Sequence, residues 1–334
     1  MEQALELRKN IDLTKLTKEQ KKELIKDLYV VSPYANRIMD ELDFCKNESK
    51  YKHSPICLCI YGAPGLGKTL LCNKYISKYP PYQLVTDQKK QTIKPILYTK
   101  VESTATEKSL ATSLLRDLGD PFFLKGNTVD KKSRLVNLLP LCQVEMIIID
   151  EIQHIYDKDS QKIIQSASNF IKNLIEDTKL PIILVGLPDV IRIIEVNEQL
   201  SSRYSDKHKY QLKPLSISTE KNLKASEFHT FLHVVDLKLP LPMRSNLDNN
   251  EIALELFNVS GGNLRILMQN IIEIAAIKAI NHDLPFISKG LIMSEIDRLV
   301  PIELKPRATS EVNNETSRQK LKNKKEKIYR KALL

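Results

Sequence analysis

Residues 62 to 69 read Gly62-Ala63-Pro64-Gly65-Leu66-Gly67-Lys68-Thr69, the G-x-x-x-x-G-K-[ST] pattern of a phosphate-binding loop. Each residue type has a chemical task. The glycines let backbone N–H groups turn inward around an anion, and a following helix adds its partial positive charge. Lys68 reaches the β- and γ-phosphates, and the Thr69 hydroxyl ligates Mg2+. The ATP-binding residues are therefore read as Gly62, Ala63, Pro64, Gly65, Leu66, Gly67, Lys68, Thr69 and Leu70. A second fragment follows about 80 residues later. Met146-Ile147-Ile148-Ile149-Asp150-Glu151 is an aliphatic run ending in two carboxylates. In a P-loop enzyme the first carboxylate holds the Mg2+ shell and the second polarises the attacking water. Asp150, with Thr69, is thus the metal-shell candidate, and Glu151 the general base. A Glu directly after the Asp favours hydrolysis over transfer to a second substrate.

These residues need elements to hold them. Ile56 to Tyr61 is a short buried strand before the loop, and Leu70, Leu71 and Tyr75 lie on one face of the helix after it. Strands are predicted at 56–61, 95–102, 146–150, 181–186 and 208–213. Helices are predicted at 68–78, 106–118, 131–140, 159–177 and 189–201. This alternation implies an α/β fold, a parallel five-stranded sheet with helices on both faces. The strand at 95–102 implies that the P-loop strand and the Asp150 strand are not neighbours. Upstream, Thr17 and Gln20 form a capping box on a helix over 17–31. Ser32-Pro33 starts a second helix, with Ile38, Met39, Leu42 and Cys45 on one face. After Pro214 the periodicity is helical throughout, over 218–234, 250–258, 263–281 and 288–299. The expected organisation is a helical leader (1–50), a nucleotide-binding core (51–215), a small all-helical lid domain (216–300) and a basic flexible tail (301–334).

The chain has 334 residues and a net charge of +10, of which residues 303–334 carry six. That excess favours an anionic partner, most simply nucleic acid, although a solvated tail has the same composition. No stretch is long enough to span a membrane, and the N-terminus lacks a signal-peptide core. Five cysteines (Cys45, Cys57, Cys59, Cys72 and Cys142), an odd number with no C-x-x-C, indicate neither a disulfide framework nor a zinc site. The compartment reads as cytoplasmic. His229 and His233 stand at i, i+4 but lack a third metal ligand.

A core of this type followed by a helical domain resembles the AAA+ ATPases. Leu200-Ser201-Ser202-Arg203-Tyr204 resembles the AAA+ segment that presents an arginine finger to the neighbouring subunit's γ-phosphate. Arg265, in Ser260-Gly261-Gly262-Asn263-Leu264-Arg265, resembles the sensor-2 arginine that touches nucleotide in its own subunit. Guanidinium forks stabilise charge spread over the γ-phosphoryl group. A surface arginine paired with a carboxylate, or an arginine at a helix start, would look the same in sequence. One departure stands out. AAA+ proteins usually carry a polar sensor-1 residue after the fourth strand, and Pro181-Ile182-Ile183-Leu184-Val185-Gly186-Leu187-Pro188 has no Asn, Ser or Thr. Slow, switch-like hydrolysis is expected.

Together with the Ser32-Pro33 leader, the Val185-Gly186-Leu187-Pro188 strand end and the Leu118-Gly119-Asp120-Pro121 turn, these pieces resemble the TniB/TnsC family of AAA+ regulators of DNA transposition, relatives of MuB. The size and basic tail look more like TnsC of CRISPR-associated or related elements than like MuB. The resemblance covers roughly residues 25–300. It implies ATP-dependent homo-oligomeric rings or filaments on double-stranded DNA, bridging a TniQ-type target selector and the transposase. It places non-sequence-specific DNA contacts at the end of the second strand and the next helix, here Lys100, Ser103, Thr104, Thr106 and Lys108. A helix N-cap flanked by exposed lysines would give the same residues. Two other functions share the motifs: an origin-recognition or helicase-loader ATPase, and a nucleotide-gated scaffold that does not bind DNA. The first usually appends a winged helix, for which the 34 residues after 300 are too few.

Overall fold

The structure, a computed structural model, describes residues 13, 15–30, 33–86, 89–102, 106–155, 161–217 and 226–299. The chain forms two units, one of residues 33–213 and one of residues 1–32 with 214–334.

In the first unit the strands are β1 (Leu58–Tyr61), β2 (Tyr82–Thr86), β3 (Lys89–Ile93), β4 (Ile96–Lys100), β5 (Met146–Asp150), β6 (Ile182–Gly186) and β7 (Lys209–Gln211). Five of them make one sheet in the order β4-β5-β6-β1-β7, and every neighbouring pair is parallel. Parallel strands covered on both faces read as unbroken apolar runs. Accordingly Ile147, Ile148, Ile149, Ile183, Leu184 and Val185 are fully buried. Cys57, Cys59, Ile147, Ile149, Ile182 and Leu184 pack with the helices Glu107–Leu118, Thr128–Leu141 and Gln161–Thr178. The helix Lys68–Ile76 packs on β6 and on the helix Pro33–Glu48, which buries Ile38, Leu42 and Cys45. The P-loop strand and the Asp150 strand are separated as expected. The strand between them is β6, while β4 forms the edge.

Several local expectations change. No element is predicted at 82–93, where β2 and β3 form an antiparallel hairpin outside the main sheet. Every residue of β2 is exposed, so it has no buried face to impose period-2 patterning. The helix expected over 189–201 is two short helices, Val190–Glu195 and Glu198–Ser201. Asn197 breaks it, because its backbone is extended and its side chain caps Leu200 N. The helix after Asn127 starts at Thr128, three residues early, because Asn127 and Asp130 build a capping box. At the Leu118-Gly119-Asp120-Pro121 turn, Gly119 is the left-handed helix cap (φ 102°), and buried Asp120 pairs with Arg134 at 2.8 Å.

In the second unit the Thr17/Gln20 capping box is present, but its helix is Lys18–Lys26 and stops short of residue 31. Ile25 joins the apolar cluster of Phe228, Leu232, Leu256, Leu267 and Ile271, and Lys18 Nζ donates to Asn281 O at 2.9 Å. Ser32 lies outside the described residues. The other helices are Glu227–Lys238, Asn250–Ser260, Glu273–Asn281 and Lys289–Leu299. Of the helix expected over 218–234, residues 218–225 lie outside the described residues, and the described helix runs on to Lys238, where Leu239 turns extended ahead of Pro240. The segment Ile266–Ile272, expected as ordinary helix, is π-helical. The tail 301–334 also lies outside the described residues.

Gly261 and Gly262 give a direct test of this unit. Both have positive φ, 56° and 77°. A Cβ on Gly262 would lie 2.1 Å from the Leu215 backbone oxygen, whereas one on Gly261 meets nothing within 4 Å. Gly261→Ala is expected to cost about 1–2 kcal/mol, the left-handed penalty alone. Gly262→Ala is expected to cost roughly 3 kcal/mol or more, because a backbone carbonyl must move as well. Denaturant midpoints of the two variants measure the difference, and equal losses would contradict the close approach at Gly262.

Candidate functional site

β1 delivers the chain into the loop at Tyr61, and the helix Lys68–Ile76 receives it. Only glycine fits position 62, since a Cβ there would sit 2.5 Å from the Leu212 oxygen. Gly65 and Gly67 take left-handed backbone, with φ 78° and 84°. The loop is anchored at its start by Gly62 N–H to Gly186 O (3.3 Å) and beside it by Leu212 N–H to Tyr61 O (2.7 Å). Lys68 is buried, and its ammonium donates to Gly62 O at 2.7 Å and Ala63 O at 2.9 Å. The cation is thereby held within the loop. Leu71 and Tyr75 are buried as predicted, but Leu70 is 52% exposed and leaves their face. Positions i and i+4 align on a helix and i−1 does not.

At the end of β5, Asp150 is 1% exposed and accepts three hydrogen bonds. Thr69 Oγ1 donates at 2.7 Å, Tyr98 OH at 2.9 Å and Glu151 N–H at 2.8 Å. The two motif halves, remote in sequence, therefore meet. Burial first, then the Asp150 charge, push the Tyr98 phenol far above its ordinary pKa, so it remains a donor. The same two causes raise the neighbouring Cys72 thiol, which stays neutral. Glu151 has a left-handed backbone, φ 56°. Gln153 Nε2 donates to its Oε2, and Lys100 Nζ lies 3.9 Å from its Oε1.

The arginines are placed differently. Arg203 Nη2 pairs with Glu176 at 2.9 Å, and Nη1 donates to Ser54 Oγ at 2.7 Å. Its sequence gave no hint of Glu176, which comes from the end of a distant helix. Arg265 is exposed in the helical unit just before the π-helical segment, with its N–H bonded to Asn263 Oδ1 at 3.0 Å. Of the DNA candidates, Lys100 is 57% exposed at the end of β4 and Lys108 is exposed in the next helix. Thr106 caps that helix by accepting from Ser109 N–H at 3.2 Å. Ser103 and Thr104 lie outside the described residues. The two histidines serve separate local bonds, His229 with Ser226 and His233 with Asp248.

The family model for bacterial TniB protein matches residues 21–213. The chain belongs to the TniB family. The match ends where the sheet unit ends. No curated protein matches the chain significantly. Among solved structures, Cdc6p from Pyrobaculum aerophilum is similar over 83% of this chain and 71% of its own, with TM-score 0.58 and 16% identity. The Aeropyrum pernix ORC2 protein is similar over 92% and 88%, with TM-score 0.57 and 15% identity. The ORC1 protein of the same organism, solved in complex with DNA, is similar over 83% and 70%, with TM-score 0.54 and 13% identity. At these identities the likeness establishes the fold, which is that of the AAA+ P-loop ATPases, with a helical C-terminal region. No helix among the described residues is long and apolar enough to cross a membrane.

In this TniB-family site the Mg2+ donor set fits. A P-loop Mg2+ takes one or two protein oxygens and fills its shell with phosphates and water. The Thr69 hydroxyl and Asp150 carboxylate, in mutual contact, are such oxygens. Among the described residues no cluster of three His, Cys, Asp or Glu offers an all-protein cage. Tyr98 and Gln153, which bond to Asp150 and Glu151, belong to neither motif. The half-buried Tyr98 inside an apolar strand and the Gln two residues past Glu151 were the available signals. Lys68→Ala is expected to abolish tight ATP binding while the protein stays folded, since the lost ammonium lies in the loop and not in the apolar core. Calorimetry checks this, and unchanged nucleotide affinity would refute the site.

Proposed function

We propose that this TniB-family protein is an ATP-dependent, DNA-binding AAA+ regulator of transposition. It assembles on target duplex DNA and links a TniQ-type target selector to the transposase. The observation that carries the reading is the contact of Thr69 with Asp150, which closes an ATP·Mg2+ site beside Glu151. Bound Mg2+ supplies charge neutralisation at the β- and γ-phosphates. Lys68 and the loop N–H groups hold those phosphates. Glu151 takes the proton of the water that attacks the γ-phosphorus, and the bridging oxygen leaves with ADP. Arg265 serves as sensor-2. The four segments read from sequence act as leader, ATPase core, lid and basic tail.

Arg203 serves a neighbouring subunit in this reading, and it must leave Glu176 to do so. Neither side chain of the pair is fully buried, and a γ-phosphate carries more charge than a carboxylate with which to compete for the guanidinium. Arg203→Ala should leave nucleotide binding intact and weaken assembly and hydrolysis. Mixing it with Lys68→Ala subunits should restore activity at mixed interfaces. No rescue, with normal assembly of Arg203→Ala alone, would refute a role in trans.

Lys100 and Lys108 are phosphate-type donors, which position a protein on DNA without reading its sequence. The Aeropyrum pernix ORC1 protein, which is similar in fold, was solved in complex with DNA, and that supports the reading. ATP-dependent binding to unrelated duplexes with little sequence preference is expected, falling steeply with salt. Lys100→Ala or Lys108→Ala should each lower the salt slope by about 1 per lost phosphate contact. Removing 303–334 should spare most binding. Fluorescence anisotropy across a salt series checks this. Strong preference for one sequence, or loss of binding on truncation alone, would point to a different reader, and no binding at all would favour a scaffold that leaves DNA alone.

A further inference from the structure

Glu151 stands on left-handed backbone just past a strand end, with one carboxylate oxygen near Lys100. Nothing in its own backbone fixes where that carboxylate points. Gln153, two residues on in the short turn Ile152–Ile155, makes two bonds that do. Its Nε2 donates to Glu151 Oε2, and its Oε1 accepts from Leu187 N–H at 3.2 Å. These partners fix the amide's orientation. Flipping it would set oxygen against carboxylate and NH2 against N–H. We propose that Gln153 is a positioning residue for hydrolysis, clamping the Glu151 carboxylate to the end of β6. The proposal rests on Glu151 being the general base.

Gly186 supports it independently. A Cβ there would lie 2.7 Å from Gln153 Oε1 and 2.9 Å from Ile152 Cγ2. No left-handed φ requires glycine at 186, since Gly186 is not among the positive-φ residues. The glycine keeps the space that the Gln153 amide fills. The end of β6 lacks its own Asn, Ser or Thr, and the polar group beside it comes from the neighbouring turn instead. Gln153 has no proton to exchange in the reaction. It acts by holding one oxygen of Glu151, which leaves the other to meet water in a set direction, with Lys100 pulling on that second oxygen from β4.

The test uses the full chain with duplex DNA and ATP, and measures kcat, KM and calorimetric ATP affinity. Gln153→Ala should lower kcat roughly 10- to 100-fold, the scale of a misplaced catalytic group, with KM and ATP affinity within about twofold. Gly186→Ala, which leaves both side chains present, should lower kcat in the same way. The double variant should be no slower than the slower single, because both changes break one linkage. Gln153→Glu keeps the Leu187 bond but sets a second carboxylate against Glu151, and it carries the test if the alanine variant does not fold. Glu151→Gln is the control. If it is inactive while Gln153→Ala and Gln153→Glu keep the parental kcat, the positioning role is overturned and the base assignment stands. If Glu151→Gln itself hydrolyses ATP at the parental rate, the base assignment fails and the positioning role falls with it. Additive losses in the double variant, or loss of ATP affinity in step with kcat, would also overturn the proposal.

Discussion

The carboxylate of Asp150 is 1% exposed at the end of a strand with no exposed residue. A charge so placed is tolerated only where donors surround it. Its three donors come from three places: the P-loop helix through Thr69, the edge strand β4 through Tyr98, and its own turn through Glu151 N–H. Breaking any one leaves a buried carboxylate short of a partner. The demand for these bonds sets the register of loop, edge strand and turn against one another, and it places the hydroxyl and carboxylate that would share Mg2+ in direct contact.

Sterics impose a second constraint on the same region. The backbone after β7 passes so close to Gly62 that no side chain fits there, and the end of β6 passes so close to Gln153 that none fits at Gly186. The sheet order brings both about. β1 lies between β6 and β7, so the phosphate loop leaves the sheet between two strand ends that crowd it. Loop shape is thus a property of the whole sheet as much as of the glycine-rich motif.

The charged groups around this rigid centre are held more loosely. Arg203 with Glu176 is a pair open to solvent mainly on the carboxylate side, and Lys100 with Glu151 is a looser one at 3.9 Å whose lysine is exposed. Such pairs keep a side chain in place without locking it, and a phosphate can compete for either cation.

The sequence alone determined the ligand class, because G-x-x-x-x-G-K-[ST] and an aliphatic strand ending in Asp-Glu are local patterns whose chemistry follows from residue type. It also determined the five strands of the main sheet and the helical character of the region after Pro214, since burial on both strand faces, or on one helix face, writes itself into the spacing of apolar residues. Tertiary structure decided what depends on pairing between remote segments. Only the strand order put β6 between the two motif strands, Tyr98 on Asp150, Glu176 on Arg203, and the Gln153 amide against Leu187. The hairpin Tyr82–Ile93 was illegible for a related reason: none of β2 is buried, so no periodic pattern records that strand. Burial leaves a mark in the sequence, whereas a hydrogen bond between residues tens of positions apart leaves almost none.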